Sequence, residues 1–462
     1  MDVHDLTAVE QARAIRQRET TSVELTEHYL RRSRALSAAV GAFVTITDDL
    51  AMDQARAADR RVAEVDDVES LPVLHGVVVP VKDLNQVKGV RCRLGSVVVD
   101  VISPIDDDMV VLLREGGTIM TGKTSTPEFG LPCYTESEVG PWASTPWDVS
   151  RSAGGSSGGA AAAVAAGLAP VAQGSDGGGS IRIPASVCGL VGLKTSRGLV
   201  PSGPLPESYG RLGVDGPLAR TVADAAALLD TMTGRGHVDS YLRDLEVDSA
   251  PMVVGRYRQP VITDTPVHHE CVAAYEHTSV LLEALGHRVI DIDVPFPLTA
   301  VPHFERVWAA LAASIPIPPE REDELRPLTR WLRGIGQAMT LEEIMAEVDL
   351  MAEYGRSALE ATAHLDVILT PTLADLPAKH GTLRNDDDPA ADFLAQKRFT
   401  PFTSPYNITG QPAISLPLHW TKDGLPVGVQ LVGRPMTEAS LLRLAAQVER
   451  ARPWAHRHPE VW

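Results

Sequence analysis

The sequence predicts an α/β fold in which a central mixed β-sheet carries α-helices on both faces. Short apolar runs indicate buried strands, as at 74–83, 412–418 and 427–433. Apolar residues that recur every three or four positions indicate amphipathic helices, as at 221–232. Strands that alternate with helices are typical of a layered α/β domain.

The first part of the chain begins with helices and leads to a strand. Residues 5–62 carry two helical patterns, and Thr21 or Ser22 has the chemistry to cap the second. The apolar run LHGVVVPVKD then predicts a buried strand that ends at Lys82. A second short strand is expected at 117–123, and a helix of very small residues around 159–168.

The remainder of the chain predicts a variable middle and a return to the sheet. Residues 235–365 show a strand, a helix and a strand, and then turn largely helical. Strands follow at 366–372, 412–418 and 427–433, and an amphipathic helix closes the chain. We therefore predict a single domain, 1–462, with these segments: an N-terminal helical segment (1–65), a core rich in Gly and Ser (70–235), a variable and largely helical region (236–365) and a C-terminal part of the sheet (366–462).

Charge and cysteine content exclude several classes of function. The formal net charge is −18, from 42 basic and 60 acidic residues, and such a surface repels nucleic-acid phosphates and anionic lipid heads. The four cysteines form no C-x-x-C pair and are too few for a disulfide scaffold. The N-terminus has no basic stretch followed by an apolar one. These features predict a soluble cytoplasmic protein that acts on a small molecule, without nucleic acid, membrane or cofactor.

Two motif strings match but lack their structural context. Gly117–Thr124 satisfies the P-loop pattern, yet its intervening residues look like a strand, and Pro127 opposes a helix start. Gly154–Gly158 satisfies the nucleophile-elbow pattern around Ser156, but a polar segment precedes it where an elbow needs a buried strand. Nucleotide binding is therefore not expected, and an α/β-hydrolase with Ser156 as nucleophile is the weaker interpretation.

Metal chemistry is not expected either. His268, His269, Glu270 and Cys271 cluster in the sequence but lack the spacing of metal ligands, and they fall at the start of a helical pattern. A solvated helix start explains them, so we expect no metal site.

The segment 153–198 carries the most informative chemistry. Its two Gly-Ser clusters enclose an Ala- and Val-rich helix, so it is not a flexible linker. Three glycines directly before Ser180 can present consecutive amides beside a hydroxyl, as an oxyanion hole requires. A serine nucleophile needs a base, and no histidine lies near either cluster. Lys82 is the candidate, because burial favours its neutral amine.

These blocks resemble the amidase signature enzymes over nearly the whole chain. HGVVVPVKDLNQVKGV looks like the lysine strand of that family, and GKTSTPEFG looks like a connecting segment. GGSSGG, followed by GSDGGGSIRIPASVCGLVGLKTSRGLVP, is similar to the family signature. TSPYNITGQPAISLPLHWTKDGLPVGVQLVGR resembles its C-terminal core. The resemblance implies the amidase signature fold and a serine hydrolase.

The resemblance also implies roles for individual residues. Ser180 would attack the carbonyl, and Ser156, after a cis peptide bond from Gly155, would relay its proton to Lys82. The implied oxyanion hole and supporting positions are Gly177, Gly178, Gly179, Asp176, Arg182 and Ser157. The Asp176–Arg182 pair would orient the loop, unless it is a plain surface ion pair.

Departures from the family pattern bear on specificity. Gly177 stands where a larger residue is common, and Ile183 stands where amidotransferase A subunits usually carry Gln. Residues offered for an apolar substrate pocket are Leu131, Cys133, Tyr134, Trp308, Trp331 and Ile335. An amidase for aryl or hydrophobic alkyl amides is expected first. A urethanase or nylon-type oligoamide hydrolase is the second hypothesis, and a partner-dependent amidotransferase subunit is the third. A monomer or homodimer is expected.

Overall fold

The computed structural model describes residues 2–204, 208–236 and 239–462. Over these residues the chain forms thirteen strands, numbered β1 to β13 in chain order. Their bounds are Phe43–Ile46, Val81–Lys82, Arg91–Cys92, Val101–Ile102, Gly122–Thr124, Val171–Asp176, Val191–Lys194, Val214–Ala219, Val253–Arg256, Arg288–Asp291, Val367–Pro371, Ala413–Trp420 and Pro426–Gly433.

Fifteen α-helices, α1 to α15, accompany the strands within the same described residues. Their bounds are Ala8–Arg16, Ser22–Val40, Asp48–Glu64, Asp108–Glu115, Gly158–Ala165, Arg182–Cys188, Val222–Met232, Tyr241–Asp244, His269–Ala284, Val301–Ser314, Pro327–Gln337, Leu341–Ala361, Pro389–Phe399, Pro405–Thr409 and Glu438–Ala451. Short 3₁₀ helices lie at Val3–Asp5, Val68–Ser70, Glu128–Gly130, Tyr209–Arg211, Leu298–Ala300 and Pro319–Glu324.

Eight strands build the central sheet in the order β10-β9-β11-β13-β12-β7-β8-β6. The sheet is mixed, because β9 pairs in parallel with β10 and β11 while the remaining neighbours are antiparallel. A second sheet, β1-β5-β2, carries Lys82 at the end of its parallel edge strand. The predicted α/β class with a central mixed sheet is confirmed.

Side chains of the central strands point alternately to the two faces of the sheet, and each face carries its own part of the hydrophobic core. Ile414 and Leu416 of β12 pack with α7, α9 and α15, whereas Ala413 of the same strand faces the opposite cluster. The small-residue helix α5 is buried along its whole length and packs in a further cluster with α6. Successive strand residues point to opposite faces, so one sheet supports helical layers on both sides.

Several sequence-based boundaries differ from the structure. Residues 5–62 contain a third helix, α3, whose buried residues are mostly alanines and therefore gave a weak apolar pattern. The expected strand at 74–83 is hydrogen-bonded as a ladder only at Val81–Lys82. Strand β6 was not expected at all, because its second half is Gly-Ser-Asp and its polar side chains are buried in hydrogen bonds. No helix among the described residues is long and apolar enough to span a membrane.

The tight packing of α5 can be tested with an alanine substitution. A Cβ at Gly159 would lie 2.3 Å from the Ser125 amide nitrogen and 2.5 Å from the Ala42 carbonyl oxygen. Both are backbone atoms that cannot move aside, so Gly159→Ala should lower the free energy of unfolding by about 1–3 kcal/mol.

Urea denaturation of the purified chain measures this loss. Gly334 in α11 is the matched control, because nothing lies within 4 Å of a Cβ built there. Gly334→Ala should raise stability by up to about 1 kcal/mol through helix propensity. Equal effects of the two substitutions would contradict the close approach at Gly159.

Candidate active site

The side chain of Lys82 is brought to Ser156 by the second sheet. Lys82 ends β2 and is fully buried, and its Nζ donates a hydrogen bond to Ser156 Oγ at 2.8 Å. Ser156 lies in the loop before α5, and the peptide bond from Gly155 to Ser156 is cis. The structure therefore joins two of the residues singled out in the sequence, which are 74 positions apart in the chain.

Ser175 is a second hydrogen-bond partner of the Lys82 side chain and was not identified from the sequence. Lys82 Nζ also donates to Ser175 Oγ at 3.0 Å and to the Ser175 carbonyl oxygen at 3.3 Å. Gln173, two residues earlier on β6, accepts a hydrogen bond from the Lys82 backbone amide at 2.8 Å. The lysine is thus oriented at both ends by an edge strand whose polar sequence gave no strand signal.

The surroundings of Lys82 favour its neutral form. The hydrogen-bond acceptors of its Nζ within the described residues are all uncharged. Burial lowers the pKa of Lys82 to about 7, although the negative charges of Asp215 and Asp176 oppose this shift. A neutral amine in contact with a hydroxyl can accept a proton from it near neutral pH.

Ser180 lies on the loop between β6 and α6 and lines an open pocket. Its hydroxyl makes no hydrogen bond within the described residues, whereas its carbonyl oxygen accepts from the Ser157 amide at 3.1 Å. Ser157 also links the two Gly-Ser clusters through its Oγ, which donates to the Ser175 carbonyl oxygen at 3.1 Å. Ser156 is therefore the hydroxyl engaged by the lysine, and Ser180 is the one that faces the pocket.

In the glycine loop before Ser180, one backbone amide is hydrogen-bonded to the protein and the neighbouring ones are not. The Gly179 amide donates to Asp176 Oδ1 at 2.8 Å, so it is occupied in this state. Within the described residues, the amides of Gly177, Gly178 and Ser180 have no protein acceptor. The φ angle of Gly179 is +131°, and a Cβ there would lie 2.4 Å from Thr403 Oγ1, so only glycine fits.

Asp176 and Arg182 form a buried ion pair that shapes this loop. Arg182 Nη2 lies 2.8 Å from Asp176 Oδ1, and both side chains are fully buried, which rules out a plain surface pair. Burial alone raises the pKa of Asp176, but the charge and hydrogen bonds of Arg182 outweigh it and hold that pKa well below its ordinary value. Asp176 stays ionised and accepts the loop amides of Gly179 and Ile181.

The pocket at Ser180 has a largely apolar wall. Helix α10 lines it with Val301, Phe304, Glu305 and Trp308, which share one helical face. Helix α13 lines it with Phe393, Gln396 and Lys397. The segment after Gly130 and the start of α6 complete the wall with Leu131, Pro132, Cys133 and Ile183.

The residues offered for substrate contact fall into two groups. Leu131, Cys133 and Trp308 line the pocket. Tyr134, Trp331 and Ile335 are not among its lining residues; Tyr134 donates to Asp392 at 2.6 Å, and the Trp331 ring packs on Phe393. All six contacts with substrate stay predictions.

Sequence reasoning did not identify α13 as part of this wall. The Asp388–Pro389 pair that begins the helix and the spacing of Phe393, Gln396 and Lys397 were available signals. They were overlooked because this segment lies between two expected strands and far from both Gly-Ser clusters.

The P-loop string at Gly117–Thr124 is almost entirely buried and does not form a phosphate-binding loop. Lys123 of the P-loop string lies in β5, where its Nζ donates to the Asn85 carbonyl oxygen at 2.6 Å and pairs with Asp83 at 3.1 Å. The residue is fully buried, so it is not available to a phosphate. Glu270 of the histidine cluster contacts His419 at 2.6 Å, and its backbone amide donates to His268 Nδ1 at 3.2 Å, which caps the start of α9.

Comparison with known proteins gives the class and the family. The Amidase family model matches residues 24–442. AmiB2 of Mycobacterium tuberculosis, which its name assigns to the amidases, is 38% identical over 100% of both chains. The 6-aminohexanoate-cyclic-dimer hydrolase of Paenarthrobacter ureafaciens is 35% identical over 77% of this chain and 78% of that protein.

Solved structures agree with these sequence matches. A 6-aminohexanoate cyclic dimer hydrolase complexed with substrate has a TM-score of 0.89 and 28% identity, over 100% of both chains. A bacterial aryl acylamidase shares the fold, with a TM-score of 0.86 at 24% identity over 98% of this chain and 97% of that one. The class defined by these matches is that of hydrolases acting on carbon–nitrogen bonds. The chain belongs to the amidase signature family, as the sequence blocks predicted.

The buried ion pair predicts a large and specific loss of stability. Arg182→Met would leave Asp176 buried without its counter-ion, which typically costs about 3–5 kcal/mol. Thermal or urea unfolding should show this loss. Arg91→Met is the control, because the Arg91–Asp100 pair is about half exposed and should cost no more than about 1 kcal/mol. If the two variants lost equal stability, the Asp176–Arg182 pair would not organise the loop.

Proposed function

We propose that this chain hydrolyses carboxamides through an acyl-enzyme, with Ser180 as nucleophile, Ser156 as proton relay and Lys82 as base. The observation that carries the proposal is the 2.8 Å hydrogen bond from a fully buried lysine to Ser156, next to a pocket lined by Ser180. Family membership supports hydrolysis of a carbon–nitrogen bond.

The first half of the reaction forms the ester. Ser180 Oγ attacks the carbonyl carbon, and its proton passes through Ser156 to the neutral amine of Lys82. Negative charge develops on the carbonyl oxygen, where the unoccupied amides of Gly177, Gly178 and Ser180 can donate hydrogen bonds. As the tetrahedral intermediate collapses, the carbon–nitrogen bond breaks, and the proton returns through Ser156 to the departing amine.

The second half regenerates the enzyme. Water attacks the acyl carbon, loses a proton by the same route, and the ester bond to Ser180 breaks as that oxygen regains a proton. Asp176 and Arg182 do not touch the reacting atoms in this scheme. They position the loop that carries the amides and the nucleophile.

The wall of the pocket supports an aryl or hydrophobic alkyl amide as substrate. Phe304, Trp308 and Phe393 supply aromatic surface, and Leu131 and Ile183 supply aliphatic surface. An apolar ligand gains free energy when it leaves water for such a wall. We expect broad specificity among apolar groups, because most of the exposed surface of the wall is apolar.

An oligoamide is the second candidate. Its support is the similarity to a 6-aminohexanoate cyclic dimer hydrolase in both the sequence and the structure comparison. Carbamates and esters belong to the same reaction type and are side activities to be measured. A partner-dependent amidotransferase subunit is the alternative that hydrolysis by the isolated chain would exclude.

The nucleophile can be identified by mass spectrometry. A fluorophosphonate should add once to the purified chain, and peptide mapping should place the adduct on Ser180. Ser180→Ala should abolish both the adduct and amide hydrolysis, whereas Ser202→Ala, at an exposed serine, should leave both intact. An adduct on Ser156 would overturn the assignment of roles and favour the nucleophile-elbow interpretation.

The pH dependence of hydrolysis tests the base. Lys82 accepts a proton only when neutral, so kcat/KM should rise with pH through a midpoint near 7, the pKa to which burial lowers this lysine. An ordinary lysine, with a pKa near 10.4, would leave the enzyme almost inactive at neutral pH. Lys82→Ala should lower the rate by about 10²–10⁴-fold and remove this inflection. An unchanged inflection in Lys82→Ala would assign it to another group.

A further inference from the structure

The pocket contains one acidic and one basic side chain, and they contact each other. Among the described residues that line it, Glu305 on α10 and Lys397 on α13 are the charged ones. Lys397 Nζ lies 2.6 Å from Glu305 Oε1, so the ion pair connects the two helices. Neither residue takes part in the proposed chemistry, and neither was singled out in the sequence.

Helix α10 packs against the loop before Ser180, and α13 packs against the segment after Gly130, so both helices that carry the pair are anchored. Phe304 and Trp308 stack with ring centroids 5.6 Å apart, and Trp308 lies 3.4 Å from where a Cβ of Gly177 would be. On the other helix, Gln396 accepts the Cys133 amide at 2.9 Å. Each charged residue is therefore next in sequence to a side chain fixed in the wall.

The burial of the pair indicates a role in selection. The side chains of Glu305 and Lys397 are 31% and 22% exposed, so solvent screens their charges only in part. Beside an aromatic and aliphatic wall, an unpaired charge is poorly solvated and attracts a ligand of opposite sign. Pairing removes both charges from the pocket, and a charged substrate would have to separate them.

We propose that the Glu305–Lys397 ion pair is the specificity determinant that restricts this pocket to amides with a neutral acyl chain. The pair neutralises the two charges of the wall, so the free pocket favours uncharged chains over those that end in an ammonium or a carboxylate. This inference rests on the proposed function of the same pocket. It predicts that a pocket with only Glu305 charged prefers acyl chains that end in an ammonium. A pocket with only Lys397 charged should prefer acyl chains that end in a carboxylate.

The experiment compares amides that differ only at the far end of the acyl chain. Unsubstituted, amine-terminated and carboxylate-terminated alkanamides of four, six and eight carbons are used at neutral pH. Their binding is measured by calorimetry in a Ser180→Ala background, and their kcat/KM is measured with Ser180 present. The variants are Lys397→Gln, Glu305→Gln and the charge-exchanged double variant Glu305→Lys with Lys397→Glu. Arg256→Gln, which removes an ion pair to Asp291 away from the pocket, is the control.

At the chain length that binds best, the original pair and the control should prefer the neutral amide. Lys397→Gln leaves Glu305 alone and should improve the ammonium-to-neutral ratio of affinities by about tenfold or more. Glu305→Gln should do the same for the carboxylate. The charge-exchanged variant should again prefer the amide with an uncharged acyl chain. If the two side chains contributed only to structure, exchanging their charges would not restore this preference.

Two results overturn the inference. One is a change of less than about twofold in these ratios in either single variant. The other is binding of none of the amides by the folded chain. If the proposed function fails but the inference holds, the affinity ratios would still change with the variants. In that case no amide would be hydrolysed, and no fluorophosphonate adduct would form.

Discussion

The buried ion pair between Asp176 and Arg182 is the interaction on which the rest of the active site depends. Arg182 donates to the Thr403 carbonyl oxygen, to Gln430 on β13 and to Asn407 on α14, in addition to both oxygens of Asp176. Asp176 in turn fixes the amides of the loop that carries Ser180. A guanidinium can satisfy this many acceptors in one plane, and a lysine could not.

Two buried basic residues near this loop, Arg182 and Lys82, have different hydrogen-bond partners. Arg182 has a carboxylate and several oxygens around it, and these contacts offset the free-energy cost of burying a guanidinium. Lys82 is equally buried, but its Nζ contacts hydroxyl and carbonyl oxygens, and its pKa falls to about 7. The guanidinium, which proteins do not deprotonate, is paired with a carboxylate, whereas Lys82 Nζ contacts no carboxylate among the described residues.

The sequence predicted those parts whose signal is local. Apolar runs gave most strands of the central sheet, and the helix at 438–451 agrees with its pattern at both ends. The resemblance pointed to Lys82 and Ser156, which the structure brings into contact. Strand β6 and Ser175 could not be found by periodicity, because their polar side chains are buried by hydrogen bonds from distant segments. Helix α13 was missed for a related reason: it reaches the pocket only through tertiary packing against α10 and the segment after Gly130.

Most hydrogen-bond partners of Arg182 lie far along the chain, so they become available late in its synthesis. The loop that carries Ser180, the proposed nucleophile, is complete in sequence by residue 182, yet the acceptors that fix the guanidinium come 221 to 248 positions later. During synthesis, Ser180 therefore emerges long before the groups that hold its loop in shape. A ribosome-bound chain that ends before β13 carries every residue of the proposed triad but lacks part of their support. In such a fragment Arg182 lacks its Gln430 acceptor, so the loop that carries Ser180 has fewer contacts to hold it in place.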